Sequence, residues 1–205
     1  METTIEAIVS LAGWRRDIAE LYSSIRGDGD GARAWARWCE ARRRMFRAHP
    51  QSPIRAMDRA AYGGPFTYPY DSDARVLADL EQGAADAVEV GTSDGRATRM
   101  LCFARAHFAL FGNEAALDVF WLDQYGGGIY LAYRDATSGD TTYGGGRYLL
   151  DTAKGADLGA DDGRLVLDFN FSYQPSCSYD PSWSCPLPPP GNTLAFEVPV
   201  GERLH

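Results

Sequence analysis

Apolar residues recur at three- and four-residue steps through the first fifty positions of the chain, then change to alternation after residue 84. Ile5, Ile8, Leu11, Trp14, Ile18, Leu21, Tyr22 and Ile25 share one face of a helix predicted over residues 3–26. Gly27-Asp28-Gly29-Asp30-Gly31 breaks that helix, and Asp30 has the side chain to cap a second one. Trp35, Trp38, Cys39, Arg42, Met45, Phe46 and His49 form a single stripe on the second helix, with Arg33, Arg37, Arg43, Arg44 and Arg47 largely off it. Pro50 and Pro53 end it, because proline lacks an amide proton and restricts the residue before it. Residues 54–75 read as an aromatic loop, with a short helix expected over Ser72–Leu80.

The alternating part predicts strands at Asp86–Thr92, Arg96–Phe111, Leu117–Asp123, Gly128–Arg134, Arg147–Leu150, Arg164–Phe171 and Leu194–Val198. Short polar turns such as Ser93-Asp94-Gly95 and Asp161-Asp162-Gly163 separate them, and the helical crossovers of a parallel sheet are missing. The expected class is α+β. An N-terminal helical pair packs on an antiparallel β-barrel or β-sandwich body, and a long ordered Pro/Cys-rich loop precedes the last strand. One domain over residues 1–205 is expected, with a helical region at 1–80 and the β body at 84–205.

Composition narrows the function classes. The chain has 205 residues and a net charge of −8, which disfavours nucleic acid and anionic membrane as partners of the whole surface. Eleven arginines against eight acids up to residue 60 leave −11 on the remainder, so the helical pair is the basic part. No stretch reaches the ~18 apolar residues of a membrane span. The run Ala7–Ala12 follows Glu2 and Glu6 and makes a poor signal peptide. Four cysteines do not make a disulfide scaffold in a chain this long, and the cytoplasm is the expected compartment.

Two stretches carry candidate chemistry. In Arg164–Phe171 the alternation puts Leu165, Leu167, Phe169 and Phe171 on one face. Val166, Asp168 and Asn170 take the other, where they meet water or line a polar interior. In Asp140–Leu150, Gly144-Gly145-Gly146 lies between Tyr143 and Arg147, a hydroxyl and a planar cation suited to carboxylate or phosphate. The bland alternative is a wide hairpin turn whose Arg147 pairs with a carboxylate such as Asp168. The segment from Tyr173 through Cys177, Trp183 and Cys185 to Asn192 is rich in proline and aromatics, which favours an ordered lid.

These residues resemble a known family. Thr141-Thr142-Tyr143-Gly144-Gly145-Gly146-Arg147-Tyr148-Leu149, then Leu167-Asp168-Phe169-Asn170, Tyr173, Pro175, Cys177, Cys185-Pro186-Leu187-Pro188-Pro189-Pro190, Asn192 and Gly201-Glu202-Arg203 are similar to the domain of unknown function 1684 family. The similarity is specific over residues 134–203 and looser at 35–44 and 49–53. Gln174 stands where the family has Asn, and Gly191 where it has Glu. The resemblance implies a bacterial protein with a β-rich body and no established activity, substrate or cofactor.

Cys177 and Cys185 read as packed thiols first and as a disulfide second. Zinc would need two further ligands. Cys102 and His107 are five apart on one strand and His205 is terminal, so no metal is expected. No nucleophile–base pair stands out, and enzymatic activity stays open. The favoured reading is a small-ligand-binding β domain for an anionic small molecule. Tyr143, Arg147, Asp168, Asn170 and Tyr173 would bind it, under a lid bearing Cys177, Trp183, Cys185 and Asn192. The alternatives are a structural or interaction module that exposes the Arg-rich helix of residues 33–47, and a flavin- or nucleotide-binding split barrel. The cofactor and the oligomeric state are not readable from the residues.

Overall fold

In the computed structural model the described residues are 4–123 and 125–204. The predicted helix start at residue 3 and the terminal His205 fall outside them. Helix α1 spans Ile5–Arg26, its first turn closed by the Thr4 hydroxyl accepting from the Ala7 N–H at 3.1 Å. Gly27 ends it, and Asp30 caps α2 (Gly31–Ala48) through a hydrogen bond from the Arg33 N–H. The stripes settle as the periodicity requires. Ile18, Leu21, Tyr22 and Ile25 of α1 are buried, as are Ala34, Trp38, Ala41, Arg42, Met45 and Phe46 of α2. A large apolar side chain contributes about 1.5–3 kcal/mol when fully buried, so these stripes anchor both helices to the body.

The body is antiparallel. Strand β1 (Phe66–Thr67) pairs with β9 (Glu202–Arg203). The larger sheet holds β2 (Arg75–Gly91), β3 (Ala97–Leu110), β4 (Asn113–Leu122), β5 (Ile129–Tyr133), β6 (Arg147–Asp151), β7 (Ala160–Asp161) and β8 (Arg164–Asp168), ordered β6-β5-β4-β3-β2-β8-β7. The two ends of that order do not meet, so the sheet is open and sandwich-like rather than a barrel. Strand β2 joins two segments. Its residues Arg75–Ala78 pair with β8, and from Asp79 onward it pairs with β3. One core cluster unites helix residues (Tyr22, Trp38, Met45) with sheet residues (Leu117, Leu131, Leu149, Leu167).

Three local expectations change. Ser72–Leu80 is not a helix. Asp71 caps a 3₁₀ turn over Ser72–Ala74, accepting from the Asp73 N–H at 2.9 Å, and β2 starts at once. Alanine and leucine favour a helix locally, but pairing with β8 decides the outcome. The strand predicted over Arg164–Phe171 stops at Asp168, whose carboxylate accepts from the Asn170 N–H at 3.1 Å and turns Phe169–Phe171 into a 3₁₀ turn. Leu194–Val198 runs beside residues 134–136, bends at Ala195 and Phe196, and forms no strand, with a single parallel bridge from Thr193 to Arg134. A side chain, Arg147, takes the Val198 carbonyl that a ladder would have used, and Pro199 has no amide proton to offer.

Candidate functional site

Arg147 opens β6 and is 1% exposed. Its Nη2 donates to Asp135 Oδ2 at 2.7 Å and to the Val198 carbonyl at 2.9 Å, while Nη1 donates to the carbonyls of Val200 and Glu202. Asp135 also accepts from the Thr137 N–H and hydroxyl. The carboxylate partner is thus Asp135 rather than Asp168, and the glycine-rich stretch is the loop between β5 and β6. Every donor direction but one serves the fold, Nε being without a partner.

Asp168 and Asn170 are buried and face a polar interior, not water. Asn170 Nδ2 donates to Asp168 Oδ1 at 2.8 Å and to the Asp71 carbonyl at 2.7 Å, and its Oδ1 accepts from the Asp71 N–H. The pair therefore ties the entrance of β2 to the exit of β8. Burial pushes the Asp168 carboxyl above its usual value, against the pull of Asn170. Asn192 acts in the same way between β4 and β5, bonding both main-chain groups of Asp118 and the Ala132 carbonyl. Tyr143 stands apart, its hydroxyl 3.8 Å from Cys177 Sγ. The five predicted ligand residues therefore divide among separate clusters.

Tyr173 leads to a different centre. It bridges to Tyr148 through both main-chain groups, and its ring lies 4.9 Å beneath the guanidinium carbon of Arg42. Trp38 and Phe46 flank the same guanidinium at 5.2 and 4.8 Å. Arg42 Nε donates to Glu202, a fully buried carboxylate that also accepts from the Gln174 N–H at 2.8 Å and the Tyr179 hydroxyl at 3.2 Å. The terminal nitrogens of Arg42 make no hydrogen bond among the described residues.

Arg42 lines a recess of about 90 Å³ between the helices and the sheet. Trp14, Ile18 and Tyr22 of α1 form one wall, and Tyr148, Asp151 and Lys154 another. The loop closes it with Tyr173, Gln174, Pro175, Ser176 and Cys185. Tyr22 accepts from Trp38 Nε1 at 3.3 Å, and burial pushes its phenol far above the ordinary value, so it remains a donor. Lys154 reaches Asp151 at 2.9 Å from the rim, where its side chain is 53% exposed. The loop is pinned across the mouth by the hydroxyls of Tyr130 and Tyr148, both donating to the Pro186 carbonyl. No group of three or more His, Cys, Asp or Glu side chains suited to a metal occurs among the described residues. No helix among them is long and apolar enough to cross a membrane.

Arg42 was visible in the sequence only as a member of an apolar stripe. Arginine is almost never fully buried without a partner, and that oddity was the available signal. Its partner lies 160 residues away, Tyr22 was marked only as part of the first helix's apolar face, and Asp151 and Lys154 carried no local mark.

A family model described as a protein of unknown function (DUF1684) matches residues 60–203. The solution NMR structure of an uncharacterized protein of Haloarcula marismortui is similar at 36% identity and a TM-score of 0.60. The match covers 84% of this chain and 95% of that one. No curated protein matches the chain.

Proposed function

Because the chain belongs to the DUF1684 family, whose activity is not established, we propose its role from its own geometry: it binds a small molecule through an anionic group held in the recess at Arg42. The observation that carries this reading is a buried guanidinium that lines a cavity, stacks on three aromatic rings and has terminal N–H groups without a hydrogen-bond partner among the described residues. A planar fork of this kind matches a carboxylate or a phosphate. Tyr22 adds an O–H donor, and Lys154 stands at the rim.

The four charges around the recess, Arg42 with Glu202 and Lys154 with Asp151, cancel. Recognition then rests on directed donors rather than on a net positive field. The volume sets a limit as well. An apolar cavity of about 150 Å³ admits benzene, so the smaller recess takes the anionic end of a ligand whose remainder lies at the mouth.

Arg42→Lys keeps a cation beside Glu202 but loses the fork. Calorimetric titration with inorganic phosphate and with acetate is expected to show saturable binding to the wild type and a loss of about tenfold or more in Arg42→Lys, the equivalent of ~1.4 kcal/mol. Equal affinity in the two proteins refutes the assignment.

A second reading, a structural or interaction module, draws on the enclosure of Arg147, which leaves the polar cluster after residue 140 to the fold. The exposed arginines 33, 37, 43, 44 and 47 of α2 would then be its outward face. The flavin reading rested on a barrel alone, and the open sheet removes that support.

A further inference from the structure

The loop that closes the recess holds two sulfurs together. Cys177 lies in the 3₁₀ turn Ser176–Ser178, and both Cys177 and Cys185 are buried. The Cys177 N–H donates to Cys185 Sγ at 3.3 Å, which lays one cysteine's sulfur against the other's main chain. Cys185 is fixed from its far side, its N–H donating to Ser93 Oγ at 3.1 Å and its carbonyl accepting from the Ser93 N–H at 2.9 Å. The Cys177 sulfur is met by the Tyr143 hydroxyl at 3.8 Å. Cys185 also lines the recess, which is wide enough to admit a molecule the size of water or hydrogen peroxide.

We propose that Cys177 and Cys185 form a peroxide-reactive dithiol in which one sulfur attacks hydrogen peroxide and the other resolves the product to a disulfide. In the first step one thiolate attacks one peroxide oxygen. A sulfur–oxygen bond forms, the oxygen–oxygen bond breaks, and hydroxide leaves to take the proton of the second thiol as water. In the second step the second sulfur, now a thiolate, attacks the sulfenic sulfur. The sulfur–sulfur bond forms, the sulfur–oxygen bond breaks, and the departing hydroxide takes up the proton that the first thiol had released. Two electrons pass from the sulfur pair to one hydrogen peroxide, and two waters result.

The electrostatics couple the two thiols. The Cys185 contact, opposed by burial and helped by Ser93 and Tyr143, draws the Cys177 thiol down, and the same contact pushes Cys185 up. The proton therefore belongs to the pair, and one sulfur ionises more readily than the other. Tyr143 is pushed up to about 12, chiefly by burial, and remains a donor. Cys39 and Cys102 are both raised by burial, which makes them internal controls.

The test treats the reduced full-length chain with hydrogen peroxide, blocks the remaining thiols with a maleimide and maps the peptides by mass spectrometry. The expected result is a Cys177–Cys185 cross-link with Cys39 and Cys102 still alkylated, at a rate that rises with pH. In at least one of Cys177→Ser and Cys185→Ser, dimedone is expected to trap a sulfenic acid on the remaining partner. Alkylated Cys177 and Cys185 in a wild-type sample whose Cys39 or Cys102 has oxidised would overturn the proposal. So would folded Cys177→Ser and Cys185→Ser proteins that both yield no dimedone adduct at the remaining partner.

Discussion

Replacing Arg147 with methionine keeps the length and apolar stem of the side chain but removes its charge and all of its donors. Asp135 is then a carboxylate with a fully enclosed side chain and no cation, while the carbonyls of Val200 and Glu202 lose the guanidinium and that of Val198 keeps only the Val200 N–H. Breaking a buried ion pair from one side costs about 3–5 kcal/mol. Each carbonyl left dry adds about 1–3 kcal/mol, less wherever the segment relaxes and admits water. A loss of at least ~4 kcal/mol is therefore expected, a large share of the ~5–15 kcal/mol that holds a typical domain together. For a chain of this length that lowers the melting temperature by roughly 8–16 °C. Urea unfolding followed by tryptophan fluorescence and far-ultraviolet circular dichroism measures the loss. Adding Asp135→Asn to the variant is expected to recover part of it, because the amide can still accept from Thr137 without carrying an unpaired charge. A single-variant loss under ~1 kcal/mol would refute the reasoning, since an arginine removed so cheaply cannot be holding residues 198–202 in place.

Other expectations follow from the same accounting. Burial raises the Asp168 carboxyl in the folded state, so its contribution to stability is present below the unfolded carboxylate value of about 3.9 and is lost as pH rises through the folded one. Asp168→Asn should therefore gain stability relative to the wild type between pH ~4 and ~7, and a relative loss over that range contradicts the sign. Asn192→Ala removes three hydrogen bonds joining β4 to β5 and should cost about 2–4 kcal/mol in chemical denaturation. Lys154→Ala takes the cation from the buried Asp151 carboxylate. It should cost more than the ~1 kcal/mol of an exposed pair in chemical denaturation, and weaken phosphate binding in the same titration used for Arg42→Lys.

The helical pair was legible because its signals are local: the three- and four-residue stripe, Asp30 as cap and the glycine-rich break. The antiparallel body was legible from its turns. Features decided by distant partners were not. Arg75–Ala78 became strand because β8 lies beside it, and Leu194–Val198 lost its ladder to the side chain of Arg147. Within the candidate site, Tyr173 and the cysteine-bearing loop stood out by composition. The Arg42–Glu202 pair closes only when the first and last parts of the chain meet, and sequence spacing carries no trace of that meeting.

A titration of the isotopically labelled protein with inorganic phosphate, followed by amide and arginine side-chain NMR, tests the recess most directly. Saturable shifts are expected at the Arg42 side chain and at the amides of residues 151–156, 173, 174 and 176, with Arg147 and its neighbours unmoved. Shifts that never saturate, or that gather at Arg147 while Arg42 stays still, would contradict the assignment of the recess as the binding site.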